Sequence, residues 1–222
     1  MARATLIIGN KNYSSWSFRG WLAVKQAGID VEEVLVDLGE PDFAATLRTH
    51  SEAAKVPVLI DGDRKIWDSL AIIEYLAEIH PEAGLWPADV SARAKARSIA
   101  AEMHSSFNAL RSAMPMNMRK SLPGWGRKPG VQEDIDRIVD IWRECRTAAD
   151  GGDFLFGAWT AADAMYAPVV SRFATYAVEL DDIAKDYANA VRNAPLFKAW
   201  EDAALQEDWI VEMDEIDGTT RT

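Results

Sequence analysis

Apolar and polar positions change their rhythm once along this chain. In roughly the first eighty residues, short apolar runs alternate with segments of helical period. Residues 5–8 (TLII) form a brief apolar run that reads as a buried strand. From 15 to 27, apolar residues recur at Phe18, Leu22, Ala23 and Ala27, the spacing of one helix face, and Gly28 stops the pattern. Residues 33–37 alternate as a second strand, and 41 to about 47 is a weaker helix with Pro41 suited to its first turn. VPVLI (56–60) and KIW (65–67) flank the turn signal DGDR, which predicts a hairpin. Residues 69–78 then place Leu70, Ile73, Leu76 and Ala77 on one helix face. The predicted order is β-α-β-α-β-β-α: a right-handed parallel crossover, an antiparallel pair and a covering helix.

Residues 82–90 (EAGLWPADV) read as a linker, and everything beyond them has helical period. Breaks at 122–130, 151–152, 180–182 and 193–195 divide that part into five or six helices, the pattern of an all-α bundle. The expected domains are therefore 1–81, an α/β unit on a mixed four-stranded sheet, and 91–222, all-helical, joined by the linker. The acidic end, 206–222, closes in GTTRT and is expected to fray.

Charge narrows the partners. Against 24 Lys and Arg stand 35 Asp and Glu, a net charge of −11, which disfavours a nucleic-acid backbone or an anionic membrane as the main partner. A local basic pocket for a small anion stays compatible with it. No run approaches the roughly 20 apolar residues of a membrane span, and the opening MARATLIIG is too short in its apolar part for a secretory signal. Cys145 is the single cysteine, which excludes an intrachain disulfide and a cysteine metal cluster, and a reducing cytoplasm is the expected location. His50, His80 and His104 are too scattered to argue for a metal.

Three stretches carry candidate chemistry. In AAKVPVLIDG a proline opens a strand where it cannot donate to the ladder. Were Val56–Pro57 cis, the Val56 backbone would face outward and could pair with a peptide-like ligand; in trans, Pro57 simply begins an edge strand. Asp68 and Ser69 stand where a strand ends and a helix begins, so they are either plain caps or a cradle in which Ser69 takes a carboxylate and Asp68 an ammonium. In YSSWSFRGW (13–21), Ser14 or Ser15 caps a helix or presents a hydroxyl to a ligand.

The element order, the VP strand start and DSLAIIEYL (68–76) resemble the thioredoxin-like domain of glutathione transferases. SSWSFRGWLAV (14–24) is similar to the serine motif of the zeta class, the maleylacetoacetate isomerases: Ser14, Ser15, Arg19, Leu22 and Ala23 fit, while Trp16 and Trp21 replace that motif's cysteine and second arginine. WTAAD (159–163) resembles the family's buried capping box. The resemblance implies a glutathione site: Val56 and Pro57 for the cysteinyl backbone, Asp68 and Ser69 for the γ-glutamyl end, Lys55 for the glycine carboxylate. It implies that Ser14, with Ser15 as a close substitute, donates a hydrogen bond to the glutathione thiolate, without becoming a covalent nucleophile. Tyr13 is the rival donor, because other classes of the family use a tyrosine near the end of the first strand; the surrounding residues favour the serine pattern.

A second substrate is then expected against the first helices of the bundle, where EMHSSFNALRSAMPMNMRK (102–120) offers Phe107, Arg111 and Met114 as an adaptable apolar wall with a cation. The implied function is glutathione conjugation to a small electrophile, or glutathione-dependent isomerisation of one, by a cytoplasmic homodimer with no metal. The alternative is a binding or scaffold protein that keeps the fold without turnover. Chemistry through the protein's own thiol is disfavoured, since Cys145 lies in a periodic helix with no partner.

Overall fold

The computed structural model describes residues 4–216, and the GTTRT segment lies outside them. Its first half holds four strands and three helices in the predicted order. Strand β1 (Ala4–Gly9) pairs in parallel with β2 (Val31–Val36) and antiparallel with β3 (Val58–Asp61), which pairs antiparallel with β4 (Arg64–Trp67). The sheet order is β2-β1-β3-β4, the thioredoxin-like arrangement.

Successive side chains of β1 face opposite sides of the sheet. Leu6 and Ile8 enter the core beneath α1 (Ser15–Gln26) and α3 (Ser69–Ile79), while Ile7 joins Val36, Val58 and Leu47 of α2 (Phe43–His50) on the other side. With both faces covered, β1 is apolar from Leu6 to Ile8 and does not alternate. Of the boundaries that differ from the sequence expectation, three have a local cause. β2 starts at Val31, which is buried opposite Ala4. Helix α2 starts after Asp42, so Pro41 precedes it. β3 starts at Val58, because Pro57 has no N–H for the ladder.

The second half forms six helices: α4 (Val90–Ser105), α5 (Asn108–Ala113), α6 (Val131–Ala148), α7 (Ala161–Thr175), α8 (Asp182–Asn193) and α9 (Pro195–Leu205). Helix α7 is the axis. It packs on α1, α4 and α8 and is buried at nearly every position, which is why its sequence is apolar all round. The predicted capping box starts it: Asp163 accepts the Thr160 N–H at 2.7 Å, the Thr160 hydroxyl at 3.0 Å and the Leu155 N–H at 3.0 Å. Burial outweighs these bonds and lifts the Asp163 carboxyl to about 6. One apolar core runs through both halves; Phe18 of α1 stacks on Trp200 of α9 with ring centroids 5.0 Å apart. Cys145 is buried in α6, and burial raises its thiol to about 11, the behaviour of a packing residue.

Candidate active site

The site begins at the loop between β1 and α1, which other parts of the chain hold from every side. Glu207, just beyond α9, accepts the backbone N–H of Lys11 at 2.7 Å and of Asn12 at 3.0 Å, and the Trp200 indole donates to the Lys11 carbonyl at 2.9 Å. The Asn12 side chain bonds Asn117 at 3.0 Å and accepts the Arg119 N–H at 3.0 Å. Tyr13 donates its hydroxyl to Glu215 at 2.6 Å and accepts from Arg119 at 2.8 Å; burial and Glu215 raise its pKa. Arg119 also reaches the carbonyls of Glu207 and Trp209. Residues 206–216 thus strap the loop that delivers Ser14.

Ser14 is the N-cap of α1: its Oγ accepts the Ser17 N–H at 3.2 Å and its hydroxyl donates to the Ser17 Oγ at 2.8 Å. Ser14 and Ser15 both border a cleft of about 1170 Å3 between the two halves. The N-terminal side of this cleft is lined by Lys55, Val56, Trp67, Asp68 and Ser69, and the Val56–Pro57 bond is cis. Pro57 itself packs behind, against α1, where Gly20 admits it: a Cβ on Gly20 would stand 2.7 Å from the Pro57 Cγ. Asp68 has a φ of +77° and caps α3 through Oδ1, accepting from Leu70 N–H at 2.8 Å and Ala71 N–H at 3.3 Å. Ser69 is fully buried, and its hydroxyl meets no hydrogen-bond partner among the described residues.

The C-terminal side is cationic. Arg172 of α7 and Arg111 of α5 line the cleft; Arg19 of α1 lies behind Trp16. The guanidinium of Arg111 sits 4.3 Å from the centre of the Trp16 ring and that of Arg19 sits 4.6 Å from it. Arg172 is 4% exposed, donates to the Met114 carbonyl at 2.8 Å and reaches the Ser15 hydroxyl at 3.4 Å. Burial, with Arg111 nearby, lowers Arg172 to about 10. Arg19 is wholly buried, donates through Nε to the Met165 carbonyl at 3.0 Å, and leaves both terminal nitrogens unpartnered among the described residues. Burial, then Arg111 and Arg172, push it well below its ordinary value. Facing these cations in the cleft are Asp68 and Asp214, the latter brought in by the strap and raised by its own burial. The walls are therefore suited to negative charge on a ligand.

Of the residues singled out in the sequence, Ser14, Ser15, Lys55, Val56, Asp68, Ser69 and Arg111 come together around this cleft. Phe107 and Met114 do not border it. Both are buried in the core, and the neighbouring apolar wall is Pro115 and Met116. Phe107, with a φ of +61°, stands between α4 and the short α5. Arg172, Asp214 and the contact of His104 with Asp68 are not apparent from local sequence. For Arg172 a signal existed: it is the sole basic residue in the buried α7.

Comparison with known proteins places these residues in a wider group. Residues 10–84 match the family described as glutathione S-transferase, N-terminal domain, and residues 94–203 match the corresponding C-terminal domain. A probable maleylacetoacetate isomerase of Caenorhabditis elegans is 36% identical over 129 residues, 58% of this chain and 60% of that protein. Maleylacetoacetate isomerase of Rattus norvegicus is 30% identical over 171 residues, covering 75% of this chain and 77% of the rat protein. The chain thus spans about three-fifths of the first relative and three-quarters of the second. The crystal structure of a glutathione transferase homologue from Burkholderia, with bound glutathione, has the same fold: TM-score 0.71 at 22% identity, over 91% of this chain and 98% of the other.

Proposed function

Because the chain belongs to the glutathione S-transferase family, we propose that it is a glutathione-dependent enzyme acting on a small, acidic electrophile, by conjugation or by cis–trans isomerisation. The observation that carries this is the convergence of Ser14, at the N-terminus of α1, with Val56, the Asp68 cap and the unpartnered Ser69 hydroxyl around one cleft. These groups fit a γ-glutamyl tripeptide. Asp68 takes the α-ammonium, and Ser69, at the first turn of α3, takes the α-carboxylate with its free hydroxyl and its own backbone N–H. Val56, which lines the cleft beside a cis bond to Pro57, supports pairing of its backbone with the cysteinyl unit, with Lys55 reaching the glycine carboxylate.

Glutathione supplies the thiol nucleophile. The protein's part is to favour its ionised form and to place the electrophile. Ser14 donates to the sulfur, and the α1 dipole adds favourable potential there. Tyr13 is unsuited to this task, since its proton is already committed to Glu215. Arg111 and Arg172 hold a carboxylate of the electrophile and stabilise negative charge that develops on it. The names of the worm and rat relatives support isomerisation as the subtype, and Trp16, which lines the cleft where the zeta motif has cysteine, supports a different electrophile. A homodimer belongs to the same proposal, with the exposed Trp67 of β4 and Val90 at the start of α4 as apolar surface for a second copy.

The test is a pH titration of the bound thiol by its thiolate absorbance, on the intact protein and on Ser14→Ala. A bound pKa below that of free glutathione, rising in the variant, is the expected result. Saturable binding with an unshifted thiol would leave a glutathione-binding protein without transferase chemistry.

A further inference from the structure

Ser17 lies in the first turn of α1 and is fully buried. Its Oγ accepts the N–H of Gly9, the last residue of β1, at 2.9 Å and lies 2.8 Å from the Oγ of Ser14. Its backbone N–H donates to the same Ser14 oxygen at 3.2 Å. The helix cap is made by that backbone N–H, so an alanine at 17 would cap α1 equally well. The buried hydroxyl of Ser17 is surplus to capping.

Hydrogen counting gives it a task. A serine hydroxyl has one hydrogen. In the arrangement described, Ser14 directs its hydrogen at Ser17 and has none for a ligand. Both partners are hydroxyls, however, and the 2.8 Å bond can run in either direction. Among the described residues Ser17 donates to no other acceptor, while the Gly9 N–H pins its oxygen in place.

We infer that Ser17 is a positioning residue for thiol activation: by reversing its bond to Ser14 it turns the Ser14 hydrogen into the cleft, toward the sulfur. This rests on Ser14 being the thiol's donor. No proton changes owner between the serines; each hydroxyl rotates about its own Cβ–Oγ bond, and the thiol proton leaves to solvent. The resulting chain runs from Gly9 N–H to Ser17 O–H to Ser14 O–H to the sulfur. Every donor is polarised by the one behind it, which strengthens the last bond. Nothing in this chain touches the peptide backbone of the ligand, so it acts on acidity and not on affinity.

The experiment compares Ser17→Ala, Ser17→Cys and Ser17→Thr with the unaltered protein and with Ser14→Ala, after thermal melting has shown which variants are folded. Cysteine nearly preserves the volume of serine while offering a poor donor, and threonine keeps the hydroxyl. The expected result is a bound-thiol pKa raised by about one, a tenfold change in acidity, in the alanine and cysteine variants and restored by threonine. Affinity for S-methylglutathione, which has no thiol to ionise, stays within twofold, and kcat falls while KM for glutathione holds. In a Ser14→Ala background the Ser17 changes have no further effect. If Ser14→Ala raises the thiol pKa but neither Ser17→Ala nor Ser17→Cys does, the relay is overturned and the Ser14 assignment stands. If Ser14→Ala leaves the pKa unmoved, the Ser14 assignment fails and the relay goes with it.

Discussion

Nε2 of His104, near the end of α4, lies 2.7 Å from Oδ2 of Asp68, which caps α3 in the other half of the molecule. The two oxygens of one carboxylate thus have separate tasks. Oδ1 holds the first turn of α3, and Oδ2 ties the sheet domain to the helical one across the floor of the cleft. His104 also packs edge-on against Trp16, with centroids 5.2 Å apart, and its carbonyl accepts from Arg111 at 3.2 Å.

Asp68→Asn separates the structural task from the binding one. Asparagine caps helices and tolerates positive φ, so the melting temperature should move by only a few degrees. The charge proposed to meet the γ-glutamyl ammonium is lost, and on that proposal S-methylglutathione should bind about tenfold to a hundredfold more weakly. Calorimetric titration reads this directly. Unchanged affinity would mean that Asp68 serves α3 and His104 alone.

Arg172→Gln tests the cationic wall. An electrophile bearing a carboxylate should show a KM raised by about tenfold, the scale of one charged hydrogen bond, while a neutral electrophile changes less than about threefold. Equal losses for both would assign Arg172 to packing through its bond to Met114.

The capping box gives a pH prediction. Asp163 has a folded pKa of about 6, above the roughly 4 of an unfolded aspartate. Between those values the folded chain holds the proton more tightly, so this residue's contribution to stability falls as pH rises from about 4 to about 6 and is level above 7. Subtracting the urea-melting profile of Asp163→Asn, which cannot titrate there, should isolate that slope. Asp163→Ala removes the acceptor from Thr160 and Leu155 and should cost about 2–3 kcal/mol.

Glu207→Ala leaves the N–H groups of Lys11 and Asn12 without their acceptor and should cost about 2 kcal/mol. Limited proteolysis should then cut within 206–216 well before the helices are attacked. A protease pattern identical to that of the unaltered protein would show that Arg119 and the bonds to Glu215 hold the strap without Glu207.

Local grammar made the sheet domain legible. The continuous apolar run of β1, the proline before β3 and the Asp-Ser start of α3 are features a few residues long, each with a physical cause. Ser14, Val56, Asp68 and Ser69 are singled out because these short features also resemble the motifs of glutathione transferases; local chemistry alone leaves them as caps and a strand start. The cationic wall could not be named from sequence, because its contacts cross the chain: Arg172 reaches Ser15 over 157 residues, and Asp214 arrives by the strap. Phe107 and Met114 misled for a different reason. Apolar residues at helical spacing fill a core as readily as a pocket, and the positive φ at Phe107 left no mark in the pattern.

The strap has a consequence for synthesis. Lys11 and Glu207 are bonded across 196 residues. A nascent chain that has already exposed all four strands still lacks the acceptor for the loop ahead of Ser14. Ribosomal delivery of nearly the whole described sequence must come first, so the sheet can form early while the loop ahead of Ser14 waits. A truncated or stalled product would carry a finished fold around an unfinished site.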